Sequence, residues 1–268
     1  MALIRSTALL SCIAMAACGG GGSSSGGNAV AGFEARKPAT LTFTAVAPSP
    51  LGSLSTSSNN AKYDPKAGTI TTGHNGYAGP VREGEWRTDS RGNRILMTNP
   101  ADTKFVRQVE MVEARGQKLW HRGVVGFETQ SMPRSGNMTY RGTTSGEVMK
   151  FGTNGSGPTS TSFEGNVRVE ADIASGKGSY RISGVRASDG TSDAPFRSLS
   201  SDISIEGSQI SAIRNSTVLN SGPGQPLGEA WANSTNGGFY GPNATEVGAG
   251  YQVMAIGGRV NGAFVAKR

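Results

Sequence analysis

Thiols, histidines and aromatic rings are all scarce in this chain, and each scarcity removes a class of chemistry. Only Cys12 and Cys18 occur in 268 residues, and both lie in a stretch with the marks of an export signal. Once Cys12 leaves with the leader and Cys18 is consumed, no thiol remains for a disulfide, a zinc site or a nucleophile. Aromatic residues make up 7% of the chain, too few for the outward girdles of a barrel that spans a bilayer. No run approaches the roughly 20 apolar residues of a spanning helix. No Walker loop, His-Glu-x-x-His or dinucleotide fingerprint occurs. Gly22-Ser-Ser-Ser-Gly26 has the letters of a nucleophile elbow but no strand before it and no helix after. No nucleophile is set beside a base, so the chain is not expected to be an enzyme.

The first 17 residues carry a leader. Arg5 supplies its positive end, Ala8 to Ala17 is a short apolar run, and small residues precede Cys18. Met15-Ala16-Ala17-Cys18 matches a lipoprotein cleavage site, with Cys18 as the lipidated residue; the alternative is an ordinary secretory signal with an incidental cysteine. Cleavage at Cys12 would leave too short an apolar core. Residues 18–30 are rich in Gly and Ser, the composition of a flexible tether. Nothing acidic follows Cys18 directly, which favours the outer membrane as the destination. Loss of Arg5 with the leader takes the formal charge from +7 to +6. The basic residues are scattered and not interleaved with aromatics, so nucleic acid is not an expected partner. A diffuse positive field suits anionic lipopolysaccharide, or serves solubility alone.

What the chain does have is glycine, 40 residues of it, with 35% hydrophobic residues and almost no helical periodicity. That composition predicts an all-β fold with many turns. Residues 31–130 read as a small β-rich domain with strands near 38–46, 68–72, 94–97 and 109–113. Pro48 to Asn60 reads as a polar, turn-rich segment, and residues 118–136 as a bridge. From 131 to 268 strands recur at the spacing of an antiparallel meander. In the clearest, Val167, Val169, Ala171 and Ile173 alternate with Arg168, Glu170 and Asp172. Gly207-Ser208 suits a type II′ hairpin turn. Eight strands are predicted, a number that closes into a small soluble barrel with apolar side chains inside.

The end of the chain is the most ordered string in it. Phe239 and Tyr240 should point to opposite faces of a strand, one into the core and one outward. Gly241-Pro242 stops the strand, and Asn243 with Glu246 makes a capping-box-like start for one helical turn. Gly248 and Gly250 let the chain re-enter the sheet. Phe239-Tyr-Gly-Pro-Asn-Ala-x-Glu-x-Gly248, followed by Gly262-Ala-Phe-x-Ala-Lys-Arg268, resembles the barrel terminus of transferrin-binding-protein-B-like surface lipoproteins. Met132-Pro-Arg-Ser-Gly-Asn-Met-Thr-Tyr-Arg-Gly142 is similar to that family's approach to its first barrel strand, and Gly126-Phe-Glu-Thr129 precedes it. The similarity covers residues 124–268. Residues 28–120 correspond in position to the family's N-terminal handle. Ala249 departs from the pattern, where a second glycine is common.

The resemblance implies a handle plus an eight-stranded barrel, anchored on the outer-membrane surface and exported by a Slam-type translocon. Family members bind transferrin, haem, haemoglobin or a host complement regulator, and some feed a TonB-dependent receptor. The expected function is capture of an iron source, haem or an iron-carrying protein, for a partner receptor. The alternative is an adhesin, or a binder of a host or neighbour protein, with no role in uptake. Haem would need an axial His or Tyr beside an apolar slot. His121, next to Trp120, and His74, in the loop ending at Tyr77, are the candidates, with Tyr77 and Tyr140 behind them. Each is as readily a surface or hydrogen-bonded residue. Asp189 and Asp193 are spaced to bind calcium, though a solvated loop explains them better.

Overall fold

A computed structural model describes residues 39–48, 54–64, 69–71, 77–112, 114, 120–152, 157–190, 193–222 and 227–268. The leader, Cys18 and the tether lie outside the described residues, as does His74. Two antiparallel sheets account for almost everything else, and no α-helix occurs among the described residues.

The first sheet holds β1 (Ala39–Pro48), β2 (Leu54–Asp64), β3 (Thr69–Thr71), β4 (Ala78–Pro80), β5 (Arg87–Thr88), β6 (Arg94–Thr98), β7 (Val106–Val112) and β8 (Trp120–Gly126). Their order is β4-β3-β2-β1-β8-β7-β6-β5. Two sequence expectations fail here. The segment from Pro48 to Asn60 is not all turn, because Leu54–Asp64 forms an eleven-residue strand paired with β1 from Leu54 to Tyr63. Nor is 118–136 simply a bridge: Trp120–Gly126 is a central strand between β1 and β7. Polar Ser, Thr and Asn residues carry the β2 ladder because pairing needs only backbone groups.

The second sheet closes on itself. It contains β9 (Asn137–Lys150), β10 (Thr159–Asp172), β11 (Lys177–Ala187), β12 (Phe196–Glu206), β13 (Gln209–Ala212), β14 (Val218–Ser221), β15 (Ala230–Tyr240), β16 (Glu246–Ala255) and β17 (Gly258–Lys267). Pairing runs β9-β10-β11-β12-β13-β15-β16-β17 and back to β9, an eight-stranded antiparallel barrel. Gly207 takes φ 58°, as the first central residue of the predicted hairpin turn requires. The single strand expected over Gln209–Val218 is broken. Asn215 adopts φ 59°, and β14 pairs only with β12, leaving β13 alone to meet β15.

The barrel obeys the period of two along β10, where Val167, Val169 and Ala171 are buried between exposed Arg168 and Glu170. Alternation vanishes on β16, all ten residues of which are buried. The cause is the first sheet, which covers the outer wall of the barrel there. Val106 and Val124 of the first sheet pack with Tyr240 and Val265 of the barrel. Gly248 permits the approach, since a Cβ there would stand 3.1 Å from both valine side chains. Phe239 and Tyr240 do face opposite ways, Phe239 into the barrel core and Tyr240 outward. Both are nevertheless fully buried, because outward here means the second interface.

Candidate ligand-binding site

The barrel interior is occupied by its own side chains. Tyr140, Tyr180, Tyr251, Phe163, Phe196, Phe239 and Phe264 are each at most 1% exposed. Phe163 meets Phe196 edge-on at 4.9 Å, and Phe264 lies 5.3 Å from Tyr180 and 6.3 Å from Tyr251. The hydroxyls are satisfied inside: Tyr251 pairs with Thr144 at 2.9 Å, and Tyr180 with Thr235 at 3.1 Å. A barrel filled this way is a core rather than a cup.

The residues singled out from the sequence do not converge on a described slot. Tyr77 is fully buried in the core of the first sheet, and its hydroxyl donates to the Pro80 carbonyl. Burial pushes its phenol up to about 12, with the Asp89 carboxylate adding to the effect. Tyr140 is also buried, donates to the Ala244 carbonyl at 2.7 Å, and is pushed up to about 12 by burial. Both hydroxyls are thus engaged with backbone carbonyls inside packed cores. His121 and Trp120 sit side by side on β8, opposite Met111 and Val112, but their side chains lie outside the described residues.

The terminal motif does something other than cap a helix. Pro242–Ala244 forms one 3-10 turn with no side-chain cap, and Asn243 and Ala244 take φ 54° and 53°. The Glu246 carboxylate reaches across to the first sheet instead. It accepts backbone N–H bonds from Lys104 at 2.5 Å, Phe105 at 2.8 Å and Val106 at 3.1 Å. Burial pushes this carboxyl above its usual range, while the three amides and the Arg107 charge pull it back. The capping-box spacing misled because a carboxylate will take any set of free amides, and the chain entering β7 offers three in a row.

Beside this junction the two sheets splay apart, leaving a cleft of about 460 Å³ between β6–β8 and β9–β11. Leu96, Gln108, Glu110 and Arg122 line one wall; Thr143 and Arg186 belong to the other. Gln108 spans the narrow end, donating to the carbonyls of Thr143 at 3.3 Å and Ala263 at 3.1 Å and accepting from Ser145 at 3.0 Å. Arg122 pairs with Glu110 at 3.1 Å. Burial pushes Glu110 above the usual carboxylate range, Arg122 lowers it, and Glu147 adds to the rise. None of these residues was singled out from the sequence.

The large apolar residues exposed among the described residues lie on the barrel. Trp231 and Val218 are each 55% exposed, and Ile213 is 37% exposed. Ile213 and Val218 flank the break between β13 and β14, and Trp231 shares a cleft with Arg214 and Asn215 within it. Phe151 and Ile256, also exposed, lie after β9 and between β16 and β17. The Asn233 amide bridges the adjoining gap, donating to the Ile213 carbonyl and the Ser201 hydroxyl at 3.0 Å each. Strict alternation back from inward-facing Phe239 would turn Trp231 inward as well; the register shift between Ala230 and Ala232 breaks that period, and the sequence does not announce it.

With this geometry in hand, comparison with known proteins gives a consistent answer. The profile of the family described as C-lobe and N-lobe β-barrels of Tf-binding protein B matches residues 132–268. Among solved structures, intact Ap-TbpB with its N and C lobes superposes with a TM-score of 0.54 at 17% identity, covering 85% of this chain and 46% of its own. A mutant transferrin binding protein B from Haemophilus parasuis Hp5 gives a TM-score of 0.51 at 15% identity, covering 85% of this chain and 44% of its own. The chain thus spans less than half the length of these two structures, and identities this low speak for the fold. No curated protein matches by sequence.

Proposed function

Since the chain belongs to the family of Tf-binding protein B β-barrels, we propose that it is a surface-exposed, outer-membrane lipoprotein that binds an iron-carrying protein for a partner receptor. Its lipid anchor is Cys18 and residues 18–30 are its tether; the family likeness adds export by a Slam-type translocon and delivery to a TonB-dependent receptor. Residues 31–130 serve as the handle and 131–268 as the barrel domain. The role is binding and not catalysis.

The observation that carries a protein ligand over haem is the filled barrel. With seven aromatic side chains inside, cargo is held on the outside, where a macromolecule gains most from an exposed aromatic anchor. Trp231, with Val218 and Ile213 beside the β13–β14 break, supplies one.

The test immobilises the mature chain and offers iron-loaded transferrin, haemoglobin and haemin in turn. Retention of one of the two proteins is expected, and Trp231→Ala should weaken it roughly tenfold or more, as loss of an interface anchor does. A Soret band with haemin and no retention of either protein would replace this reading with a haem binder.

A further inference from the structure

We propose that the seam between β14 and β15 accepts an added strand, an extended segment of a partner protein that joins the barrel wall there. This rests on Trp231 being the anchor of a protein ligand, and it gives that ligand a form. β15 pairs with β16 along one side from Ala230 to Tyr240, with a bulge at Trp231, but on its other side the ladder with β13 stops at Asn236. Along that second edge Phe239 donates to the Ser208 carbonyl at 2.7 Å, and Gly237 lies opposite Ile210. The period of two aims the backbone groups of Asn233 the same way, and among the described residues no strand stands opposite them. β14 pairs with β12 and with no other strand among the described residues, so its outer edge is open too. Main-chain donors and acceptors left in a row are complementary to another strand and to little else.

The opening is built into the wall. The loop between β13 and β14 is tied to β12: Ser216 Oγ accepts from the Asp202 amide at 3.1 Å, and the Thr217 hydroxyl donates to Ser201 at 3.0 Å. Asn233, bonded to Ile213 and Ser201, gives the seam a polar floor. On the outside, Val218 and Trp231 stand exposed, and the bulge between Ala230 and Ala232 is what turns Trp231 outward. Lys and Pro, which commonly guard an open edge, occur neither in β14 nor from Ala230 to Thr235. A guest strand would set small polar side chains over the floor and β-branched or aromatic ones between Trp231 and Val218. The class of ligand is thus an extended peptide in which those two kinds of residue alternate. Glu206 and Arg214 both line the adjoining cleft of about 700 Å³, so neither sign of charge is favoured.

The experiment is titration calorimetry on the full mature chain with two lysine-flanked peptides, one alternating Val with Ser and the other Tyr with Thr. At least one should bind with a dissociation constant below about 1 mM. Its N-methylated twin keeps every side chain but loses the amide donors, and should bind roughly tenfold or more weakly. Trp231→Ala should also weaken binding roughly tenfold, while Arg168→Ala, at an exposed site on β10, should leave it unchanged. Failure of both peptides to bind would overturn the proposal. So would equal binding of the N-methylated twin, or binding that Trp231→Ala leaves intact. Peptide binding without retention of transferrin or haemoglobin would uphold the seam and remove the iron-carrier reading. Retention of either protein without peptide binding would do the reverse.

Discussion

Replacing Phe264 by alanine is the most direct probe of a barrel that serves as core. The ring is fully buried and touches two neighbours, with centroids 5.3 Å from Tyr180 and 6.3 Å from Tyr251. Truncating a buried Phe costs about 3–5 kcal/mol through lost transfer energy and the cavity left behind. Aromatic pairing adds about 0.5–1.5 kcal/mol beyond area burial. The rigid closed wall limits collapse around the hole, which keeps the expected loss near the upper half of that span, about 4–5 kcal/mol. For a chain of this size each kcal/mol moves the midpoint by about 2–4 °C, so thermal melting followed by near-UV circular dichroism should shift down by about 8–20 °C. Ile256→Ala is the control: that side chain is 71% exposed, and a change within about 0.5 kcal/mol is expected. A loss below about 1.5 kcal/mol for Phe264→Ala would refute the reasoning, because the interior would then have slack. The case for external cargo would fall with it.

Two further perturbations follow from the same packing. Removing residues 260–268 deletes buried Val260, Phe264 and Val265 and strips β9 and β16 of their shared partner. At about 2 kcal/mol per side chain this rivals the whole stability of a typical domain; the truncation should lose cooperative melting, and a soluble monomer that melts cooperatively would contradict this. Asp89 supplies a pH test. Its carboxylate accepts backbone bonds from Ala78 at 3.1 Å, Arg91 at 2.9 Å and Asn93 at 2.9 Å. Desolvation raises its pKa, but these bonds outweigh it and hold the group below its usual 3.8. A depressed carboxylate contributes stability above its unfolded value and loses it as pH falls through the folded one. Urea midpoints should therefore show Asp89→Asn weaker than the parent near neutrality, with the gap closing below pH 3.8; a gap that is constant with pH would refute the assignment.

The barrel was legible because one face of most of its strands meets water. On β10 that contrast writes itself into the sequence as Val-Arg-Val-Glu. The chain becomes opaque wherever a strand is covered twice. β16 is buried on both faces, so although Tyr251 and Val253 face the barrel core and Gln252 does not, no contrast with water marks the strand. β2 is opaque for a different reason: its Ser and Asn residues have weak strand preference, and the long partner β1 holds them extended. The residues that line the cleft between the sheets were the least readable of all. Arg122 and Thr143 are ordinary strand residues, 21 positions apart, whose meaning depends on how two sheets splay. The glycine-and-proline string from Gly237 to Gly248 marks the fold, and its one functional-looking group, Glu246, turns out to tie sheet to sheet.

That tie also sets the order in which the protein can come into being. Glu246 bonds amides 140 to 142 residues earlier in the chain, and the wall that covers Val106 and Val124 includes Val265. The sheet made first from the ribosome is therefore unable to bury its inner face until almost the last strand has been synthesised. Contacts of such long sequence separation are slow to form, since the closure entropy must be met before any packing offsets it. A chain built like this can complete its packing only when nearly all of it is available at once.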